Sequence, residues 1–374
     1  MLKILHTADW HIGKSFDQFG PEAAATLARD RLGVIDRIMG CASQFDVDAV
    51  LCAGDLFDRP DPDDDWWKGL AAKFDGYRNW RKPVVLLPGN HDPLTDKSVY
   101  DPSHGFRKAL PEWVHVVDRD DFQMPIASEG IVYATPCRST AGDKDLAMSL
   151  PRRITGDTRF RIGLVHGSTF EMEGYETHFP VSISAPRERG LDYLAIGDTH
   201  SFQTRWECDP APIVYPGAPE ATAFKEKEAG YVAVVSFRKF GTKPTIHKER
   251  VARWTWQERT ITSLAELEGL LYEDLDSTVL NLVLSMTIDV TELDFVDEIL
   301  SILGGTKAMS PRVGVLRVDR DELRIDDRIA WPADDEIPLS VRETIRRLRA
   351  GAQADPVAQR SLVIFRRLLH RMMS

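Results

Sequence analysis

The sequence predicts an α/β fold in which layered sheets are flanked by helices. Short continuous apolar runs alternate with helical patterns over the first 240 residues, and such runs are typical of strands buried on both faces. The chain has 374 residues, a length that suits about two domains. Hydrophobic residues make up 43% of it and charged residues 28%. This ordinary globular composition excludes a disordered chain, collagen or a coiled-coil rod.

The amino-terminal part contains six predicted strands and two predicted helices. Leu27, Leu32 and Ile35 recur at helical spacing within the first helix. The last strand has the pattern of an edge strand, and we expect it to close the domain. The helices are predicted over 23–41 and 66–80, and the strands over 3–5, 48–54, 83–87, 161–165, 193–196 and 230–237.

The composition changes after residue 245. A helix that begins with a Thr/Ser cap is followed by a strand, a helix that ends at Gly304 and Gly305, and another strand. We interpret this segment as a small α+β module, after which a Pro- and Asp-rich linker leads to two more helices. The helices are predicted over 262–271, 293–303, 340–350 and 356–372, the strands over 281–289 and 312–318, and the domains over 1–245, 246–330 and 331–374.

Cysteine usage and the apolar pattern indicate a cytoplasmic protein. The four cysteines lie far apart and form no C-x-x-C pair, which argues against a zinc–thiolate site or a disulfide framework. No window approaches the roughly 18 apolar residues of a membrane span. The amino terminus does not have the pattern of a signal peptide. We therefore expect a cytoplasmic location and no membrane partner.

Charge is distributed unevenly along the chain. The net charge of −11 does not favour a free-standing DNA binder, because phosphate neutralisation supplies much of such a protein's affinity. Residues 336–374 differ, since they carry eight Arg and only three acidic residues. A cluster of metal-binding carboxylates would explain part of the acidity elsewhere.

Polar side chains follow the carboxyl ends of five predicted strands. Each of these strands runs into Asp, His or Asn, and in layered α/β folds ligands bind at that edge. Any one of these motifs alone is weak evidence, since a Gly-Asp pair is common in turns and a single His can belong to a core. Their joint order and spacing is hard to explain structurally. The motifs are Asp9-x-His11, Gly54-Asp55-x-x-Asp58, Gly89-Asn90-His91-Asp92, His166-Gly167 and Gly197-Asp198-x-His200.

The residue types in these motifs indicate divalent metal ions. Imidazole, carboxylate and amide oxygen together suit Mn, Fe or Zn, and the lack of thiolate argues against a cysteine-type site. Seven or eight potential ligands are too many for one ion. They suit two ions about 3.5–4 Å apart that share a carboxylate.

The five motifs in this order resemble the calcineurin-like metallophosphoesterase superfamily, over about residues 1–235. The segments 6–13 (HTADWHIG) and 215–224 (YPGAPEATAF) further resemble the SbcD family, the nuclease subunits of bacterial SbcCD complexes. The resemblance implies a metallophosphoesterase β-sandwich flanked by helices, with a small α+β capping domain that helps to engage DNA and a helical carboxyl-terminal tail.

The resemblance also implies a role for each polar residue. Asp55 would bridge the two ions, and His91 would stabilise the transition state or protonate the leaving oxygen. Asp58 would orient a ligand histidine. One ion would be held by Asp9, His11 and His200, and the other by Asn90, His166 and Asp198.

The chain departs from the family pattern at Asp198, where the family has histidine. Aspartate is a competent oxygen ligand, so the site need not be lost. Its extra negative charge makes the second site harder and favours Mn²⁺ or Mg²⁺ over softer ions. We therefore expect two divalent ions, Mn²⁺ first, with Mg²⁺, Fe²⁺ and Zn²⁺ as alternatives. Weak binding of the second ion stays open.

The predicted last helix has apolar residues such as Leu362, Phe365 and Leu369 on one face, with four Arg around it. It could pack on its own domain or dock on a partner. The resemblance implies that this region attaches to the coiled-coil base of an SbcC-type ATPase. The resemblance also implies a homodimer within that complex. Binding to a membrane surface is less consistent with the pattern.

We therefore expect a two-metal DNA phosphodiesterase, an exo- or endonuclease of DNA repair that works with an ATPase. The ions would offset charge on the phosphate and activate water. The first alternative is a phosphodiesterase of the same superfamily for small molecules or nucleotides, against which the 215–224 stretch argues. The second is a metal-deficient scaffold that binds DNA ends or regulates an ATPase, which only Asp198 supports.

Overall fold

The computed structural model describes residues 1–169, 178–289, 292–305, 312–326 and 337–352, together with 355, 357–358, 361–362, 364–365 and 368–369. The chain divides into two compact units, Met1–Trp254 and Thr255–Ser374. The three-part division at 245/246 and 330/331 stays a prediction. In the structure, the strand Thr245–Arg250 pairs with its neighbour in the first unit.

The described part of the first unit contains twelve strands and four α-helices. Its longest helix follows the first strand, and its strands are short, as is usual in a layered α/β fold. The helices are α1 (Pro21–Gln44), α2 (Asp64–Gly76), α3 (Gly105–Ala109) and α4 (Ala185–Arg189). The strands are β1 (Leu2–Thr7), β2 (Ala49–Cys52), β3 (Val84–Leu86), β4 (Val114–Val116), β5 (Phe122–Ile126), β6 (Gly130–Ala134), β7 (Phe160–His166), β8 (Tyr193–Gly197), β9 (Gln203–Cys208), β10 (Ala211–Tyr215), β11 (Tyr231–Phe237) and β12 (Thr245–Arg250).

These strands form two six-stranded sheets. The first has the order β12-β11-β1-β2-β3-β4, and the second has the order β5-β6-β7-β8-β10-β9. Strands β1 to β4 run parallel in the first sheet, as do β6, β7, β8 and β10 in the second. In the first sheet Leu5 of β1 pairs with Val50 of β2. Because these strands are parallel, the strands that precede the polar motifs have their carboxyl ends at the same edge of each sheet.

Three apolar layers hold the first unit together. Leu51, Ile162 and Val235 belong to the layer between the two sheets. Ile35 of α1 and Phe74 of α2 pack on the outer face of the first sheet. A third cluster, with Ala185 of α4, covers the outer face of the second sheet. Helices on the outside and two sheets on the inside confirm the predicted layered α/β class.

The structure differs from two sequence-based predictions, one about a strand and one about a helix. The segment 230–237 does not form an edge, because β11 lies between β1 and β12. Strand β12 takes that place and is largely polar, with the sequence TIHKER. The helix predicted over 66–80 begins at Asp64 and ends at Gly76.

The second unit is smaller and also mixes strands with helices. A sheet of the order β13-β14-β16 has parallel neighbours, and β15 pairs with β17. The strand predicted over 281–289 is in fact two strands, because the chain turns after Leu284. The strands are β13 (Thr255–Ile261), β14 (Leu275–Leu284), β15 (Thr287–Ile288), β16 (Val313–Asp319) and β17 (Arg324–Ile325), and the helices are α5 (Leu264–Gly269), α6 (Glu292–Gly304) and α7 (Leu339–Ala352).

The predicted tail is described only in part. The predicted linker 331–338 lies outside the described residues except for 337 and 338, and so does much of the helix predicted over 356–372, including its four Arg. Helix α7 corresponds to the helix predicted over 340–350. Its Ile345 packs with Ile337 and Leu369, against which Phe365 is half-buried. Within the described part of the chain, no helix is both long and apolar enough to cross a bilayer.

The layer between the sheets predicts a large effect for a truncated core side chain. Leu51 has no exposed surface in that layer, so Leu51→Ala removes buried apolar surface and leaves a cavity. We expect the free energy of unfolding to fall by about 2–5 kcal/mol. Urea denaturation followed by tryptophan fluorescence measures this change. The matched control is Ile154→Ala, since Ile154 is 69% exposed. Equal losses in the two variants would contradict the proposed core.

Candidate metal centre

The polar ends of five strands meet at one edge of the sandwich. The first sheet contributes the segments after β1, β2 and β3, and the second contributes the ends of β7 and β8. Backbone hydrogen bonds tie the first two segments together, since Asp9 N donates to Gly54 O at 3.0 Å and His11 N donates to Asp55 O at 2.9 Å. The candidate residues are thus attached to two rigid sheets.

The backbone is in the left-handed region at four of the seven predicted ligands. The φ angles are 55° at Asp9, 44° at His11, 52° at Asp55 and 95° at Asp198. Such conformations cost free energy in residues with a side chain, and they cluster at functional sites. At these four residues the positive φ angles change the direction of the chain after each strand, and the side chains lie around a common centre.

Two glycines allow the segments to approach closely. Gly54 has a φ of 98°, and a Cβ atom there would lie 2.2 Å from His166 Nδ1. A Cβ atom at Gly89 would lie 2.1 Å from Asp55 Oδ1. Any side chain at either position would therefore displace a predicted ligand.

One group of candidate ligands comprises Asp9, His11 and His200. One ligand atom from each lies within 4.8 Å of the others. The Nε2 atoms of His11 and His200 are 3.0 Å apart. Asp9 is fully buried, and its Oδ2 has no hydrogen-bond partner among the residues that the structure describes. This is the set that the sequence assigned to one ion.

The second group is centred on Asp55 and His166. Asp55 Oδ2 lies 3.4 Å from His166 Nε2 and 3.7 Å from His11 Nε2, so the carboxylate faces both groups. Asn90 Oδ1 lies 2.8 Å from His166 Nε2, and Asp198 Oδ1 lies 3.9 Å from the same atom. The structure thus brings all seven predicted ligands together around two neighbouring positions.

The outer nitrogen of each candidate histidine faces a protein oxygen. His166 Nδ1 lies 2.8 Å from Ala53 O, His200 Nδ1 lies 2.7 Å from Glu226 Oε1, and His11 Nδ1 lies 3.1 Å from Asp58 Oδ1. An oxygen acceptor fixes the proton on Nδ1 of His166 and of His200, whereas the contact of His11 with Asp58 lies outside hydrogen-bond geometry. Nε2 then keeps its lone pair and points at the centre, as in histidines that bind metal.

Burial and neighbouring charges set the protonation of the centre. Burial lowers the pKa of His11 to about 4, which keeps the ring neutral near pH 7. Burial opposes charge at Asp55 and His166 as well. Their mutual attraction outweighs it, lowering the pKa of Asp55 and raising the pKa of His166. Divalent cations would take over this attraction by displacing the proton.

The donor set fits two divalent cations. Three carboxylates, three imidazoles and one amide oxygen converge. The Nε2 atoms of His11 and His200 are only 3.0 Å apart, so their two lone pairs would repel each other without a cation between them. Asp55 faces both groups and is the side chain placed to be shared. The family and these clusters are consistent with a binuclear divalent metal site.

His91 and Asp58 lie beside the centre. The His91 ring is 4.7 Å from the His11 ring, and its Nδ1 lies 3.1 Å from the Asp58 carbonyl oxygen. His91 is exposed, unlike the ligands around it. Its backbone N–H donates to Asp55 Oδ1 at 2.9 Å. An exposed, oriented imidazole at this place suits proton transfer to a bound substrate.

Sequence reasoning missed two supporting acids. Glu226 accepts from Thr222 N at 2.6 Å as well as contacting His200. Burial opposes its charge, but His200 and Thr222 lower the pKa of Glu226 to about 2. Asp92 belongs to one of the five motifs, but the pattern gave it no role. It accepts from Phe57 N at 2.8 Å and Gly89 N at 2.9 Å, and so joins two ligand-bearing segments.

Comparisons with known proteins agree with this architecture. Residues 2–202 match the sequence profile of the family described as calcineurin-like phosphoesterase. The chain is 29% identical over 243 residues to the "uncharacterized metallophosphoesterase YhaO" of Bacillus subtilis (strain 168), covering 62% of this chain and 57% of that protein.

Two other similar proteins have names that refer to nucleic acids. A nuclease SbcCD subunit of Rhodobacter capsulatus is 43% identical over 94 residues, covering 25% of this chain and 22% of that protein. "DNA double-strand break repair protein Mre11" of Saccharolobus solfataricus is 25% identical over 235 residues, covering 62% and 58%. The chain covers less than two thirds of the length of each of these three relatives.

The contact between Glu226 and His200 predicts an effect on metal affinity. Glu226→Ala removes the acceptor that orients His200 Nε2 toward the centre, and we expect the affinity for Mn²⁺ to fall about 10–100-fold. Isothermal titration calorimetry measures it. The control is Glu228→Ala, since Glu228 is exposed and its carboxylate pairs with Lys248 at the surface. Unchanged Mn²⁺ affinity in Glu226→Ala would show that His200 needs no such support.

Proposed function

The chain belongs to the calcineurin-like phosphoesterase family, and we propose that it hydrolyses phosphodiester bonds in DNA with two divalent metal ions, Mn²⁺ in the first place. The observation that carries the proposal is the position of Asp55. Its carboxylate faces both groups of ligands, with His11 on one side and His166 on the other. Such a shared carboxylate supports chemistry on a phosphate held between two ions.

Each candidate residue then has a defined task. When bound, the ions would neutralise charge on the phosphate oxygens and lower the pKa of coordinated water. Asp9, His11 and His200 would hold one ion, and Asn90, His166 and Asp198 would hold the other. His91 is exposed, its Nδ1 is directed at the Asp58 carbonyl, and its Nε2 would donate a proton to the leaving oxygen.

Asp198 supports an active site over a metal-deficient scaffold. Its carboxylate lies 3.9 Å from His166 Nε2, on the same side as the other ligands. The backbone N–H of Asp198 donates to Asp9 Oδ1 at 2.9 Å. These contacts support the proposal that an oxygen ligand replaces the imidazole nitrogen of the family pattern at this position.

An exposed side of the centre and nearby cations support a polymeric substrate. The side chains of Asp198 and His200 are 30% and 24% exposed. Lys14 Nζ lies 3.2 Å from Asp58 Oδ1, and the next residue along the chain, Arg59, is 56% exposed and pairs with Asp63. Cations next to a phosphodiester site suit the neighbouring phosphates of a DNA strand. The names of the SbcCD and Mre11 relatives point the same way.

An exposed apolar surface in the tail supports a protein partner. Leu369 is buried and Phe365 half-buried against α7, whereas Val357, Ile364 and Leu368 are 69%, 59% and 51% exposed. An amphipathic segment of this kind suits a groove on another protein. We take that partner to be an SbcC-type coiled-coil ATPase, in a complex that contains two copies of this chain.

Cleavage of DNA tests the proposal. We expect purified protein to cut labelled linear and hairpin DNA with Mn²⁺, and Asp55→Asn to lower the rate by about 10²–10³-fold because the shared carboxylate loses its charge. Asp61→Asn, a change at an exposed carboxylate, is the control. A small chromogenic phosphodiester serves as a second substrate. Hydrolysis of that ester alone would favour the small-molecule phosphodiesterase instead.

The role of His91 gives a separate prediction. His91→Ala removes the proton donor but no predicted metal ligand, so we expect kcat to fall about 10²–10⁴-fold while Mn²⁺ affinity stays the same. Steady-state kinetics and calorimetry measure the two quantities on one preparation. A parallel loss of Mn²⁺ binding would assign His91 to the ligands and would contradict its role as the acid.

A further inference from the structure

A buried arginine contacts the segment that carries two candidate ligands. Arg31 of α1 is 1% exposed, and its Nη1 donates to Trp10 O at 2.8 Å. Trp10 stands between Asp9 and His11. Its carbonyl is therefore held by a side chain of α1. A side chain that holds this carbonyl sets the direction of both neighbouring ligands.

The same arginine contacts residues 215–226, which we call the brace. Arg31 Nη2 donates to Glu220 O at 2.7 Å and to Ala221 O at 2.8 Å. Further along the brace, Ala218 N donates to His200 O at 2.9 Å, and Glu226 contacts His200 Nδ1. The brace thus meets all members of the group formed by Asp9, His11 and His200, directly or through Arg31.

The brace also binds residues 251–254, which we call the exit segment because the second unit begins at Thr255. The Glu220 carboxylate is 4% exposed, and it accepts from Arg253 N at 2.7 Å and from Trp254 N at 3.3 Å. Arg37 donates both to this carboxylate and to Val251 O. Three of these four bonds join a buried or half-buried group in the brace or α1 to the backbone of the exit segment, and the fourth joins Arg37 to Glu220.

Asp30 adds a second attachment at the same place. It accepts from Arg253 Nη1 at 2.9 Å and from Trp254 Nε1 at 3.1 Å. Asp30 precedes Arg31 on α1, so one turn of helix contacts both the exit segment and the Trp10 carbonyl. The Asp30–Arg253 bond is exposed, so the buried Glu220 carboxylate is the stronger of the two attachments.

We propose that Glu220 and Arg31 are positioning residues for the ion held by Asp9, His11 and His200, and that they couple this ion to the exit segment. The inference rests on the metal centre and not on the DNA substrate. Neither Arg31 nor Glu220 has a described hydrogen bond to Asn90, His166 or Asp198. The brace reaches that side through Tyr215, which accepts from Thr169 N, and the two groups meet where Asp198 N donates to Asp9 Oδ1. A displacement of the exit segment would therefore act most directly on the ion held by Asp9, His11 and His200.

The proposal is tested with Glu220→Gln in the full chain. The amide nitrogen of glutamine cannot accept a hydrogen bond, so at least one of the donors from Arg37, Arg253 and Trp254 loses its partner. We expect the affinity for one of two Mn²⁺ ions to fall at least about tenfold, with a smaller loss at the other. Two-site calorimetry and the Mn²⁺ electron paramagnetic resonance signal measure the two sites.

Asp145→Asn is the matched control. Asp145 likewise accepts from two backbone amides, Met148 N at 3.1 Å and Ser182 N at 2.8 Å, but touches neither the brace nor the exit segment in any described contact. A purely structural role would make the two variants alike: less stable, with both ions bound as in the wild type. That result would overturn the proposal.

A measurement on the wild type guards against misfolding of Glu220→Gln. By linkage, an ion that is coupled to the exit segment must stabilise that segment when it binds. We expect Mn²⁺ to slow amide hydrogen exchange at Arg253 and Trp254. Exchange there that is independent of Mn²⁺, or failure of the wild type to bind two ions, would overturn the coupling. Normal coupling without DNA cleavage would instead count against the nuclease alone.

Discussion

The arrangement of the centre depends on one buried carboxylate. Asp55 is 2% exposed, and it faces His11 and His166, which belong to opposite sheets. It also accepts from His91 N, which fixes the third segment of the first sheet. The Asp55 carboxylate fits here because Gly89, which lies against it, has no side chain. In a site with little water, a negative charge in this position is strongly coupled to every neighbouring imidazole. The strands can be regarded as a scaffold that holds these partners around one charge.

The scaffold must offset an unfavourable backbone. Four predicted ligands have positive φ values, a conformation that costs of order 1–3 kcal/mol for each residue. These residues directly follow β1, β2 and β8, whose side chains are buried in continuous apolar layers. The packing of these layers offsets the unfavourable backbone conformations, because a close-packed sandwich leaves the chain little freedom to relax. The same rigidity explains why support is built behind the ligands, at Asp58, Asp92 and Glu226, and not from mobile surface groups.

The sequence predicted those parts of the molecule that local patterns specify. The apolar runs at 3–5, 161–165 and 193–196 correspond to buried central strands, and their polar ends correspond to the centre. Strands β9 and β12 escaped prediction because they are partly exposed and polar, so no alternating or continuous pattern marks them. Strands β4, β5, β6 and β10 escaped as well, since each has only three to five residues, although β6 and β10 are fully buried. Glu226 escaped for another reason. A surface-like Lys-Glu sequence acquires its role only when the fold places it 2.7 Å from His200. Its one signal was its position just after the 215–224 stretch.

That stretch gains a physical explanation that does not involve a substrate. Gly217 has a φ of 77°, and a Cβ atom there would lie 2.7 Å from His200 O. The Tyr215 hydroxyl accepts a hydrogen bond from Thr169 N at 2.8 Å and so fixes the chain just after His166. Ala218, Glu220 and Glu226 serve the other ligand segments. We infer that the residue types in the brace serve the metal centre. On the proposed function, selection between DNA and a small ester is expected to depend on exposed groups near the centre in the described part of the chain, such as His91, Lys14 and Arg59, because a bound polymer extends beyond the two ions.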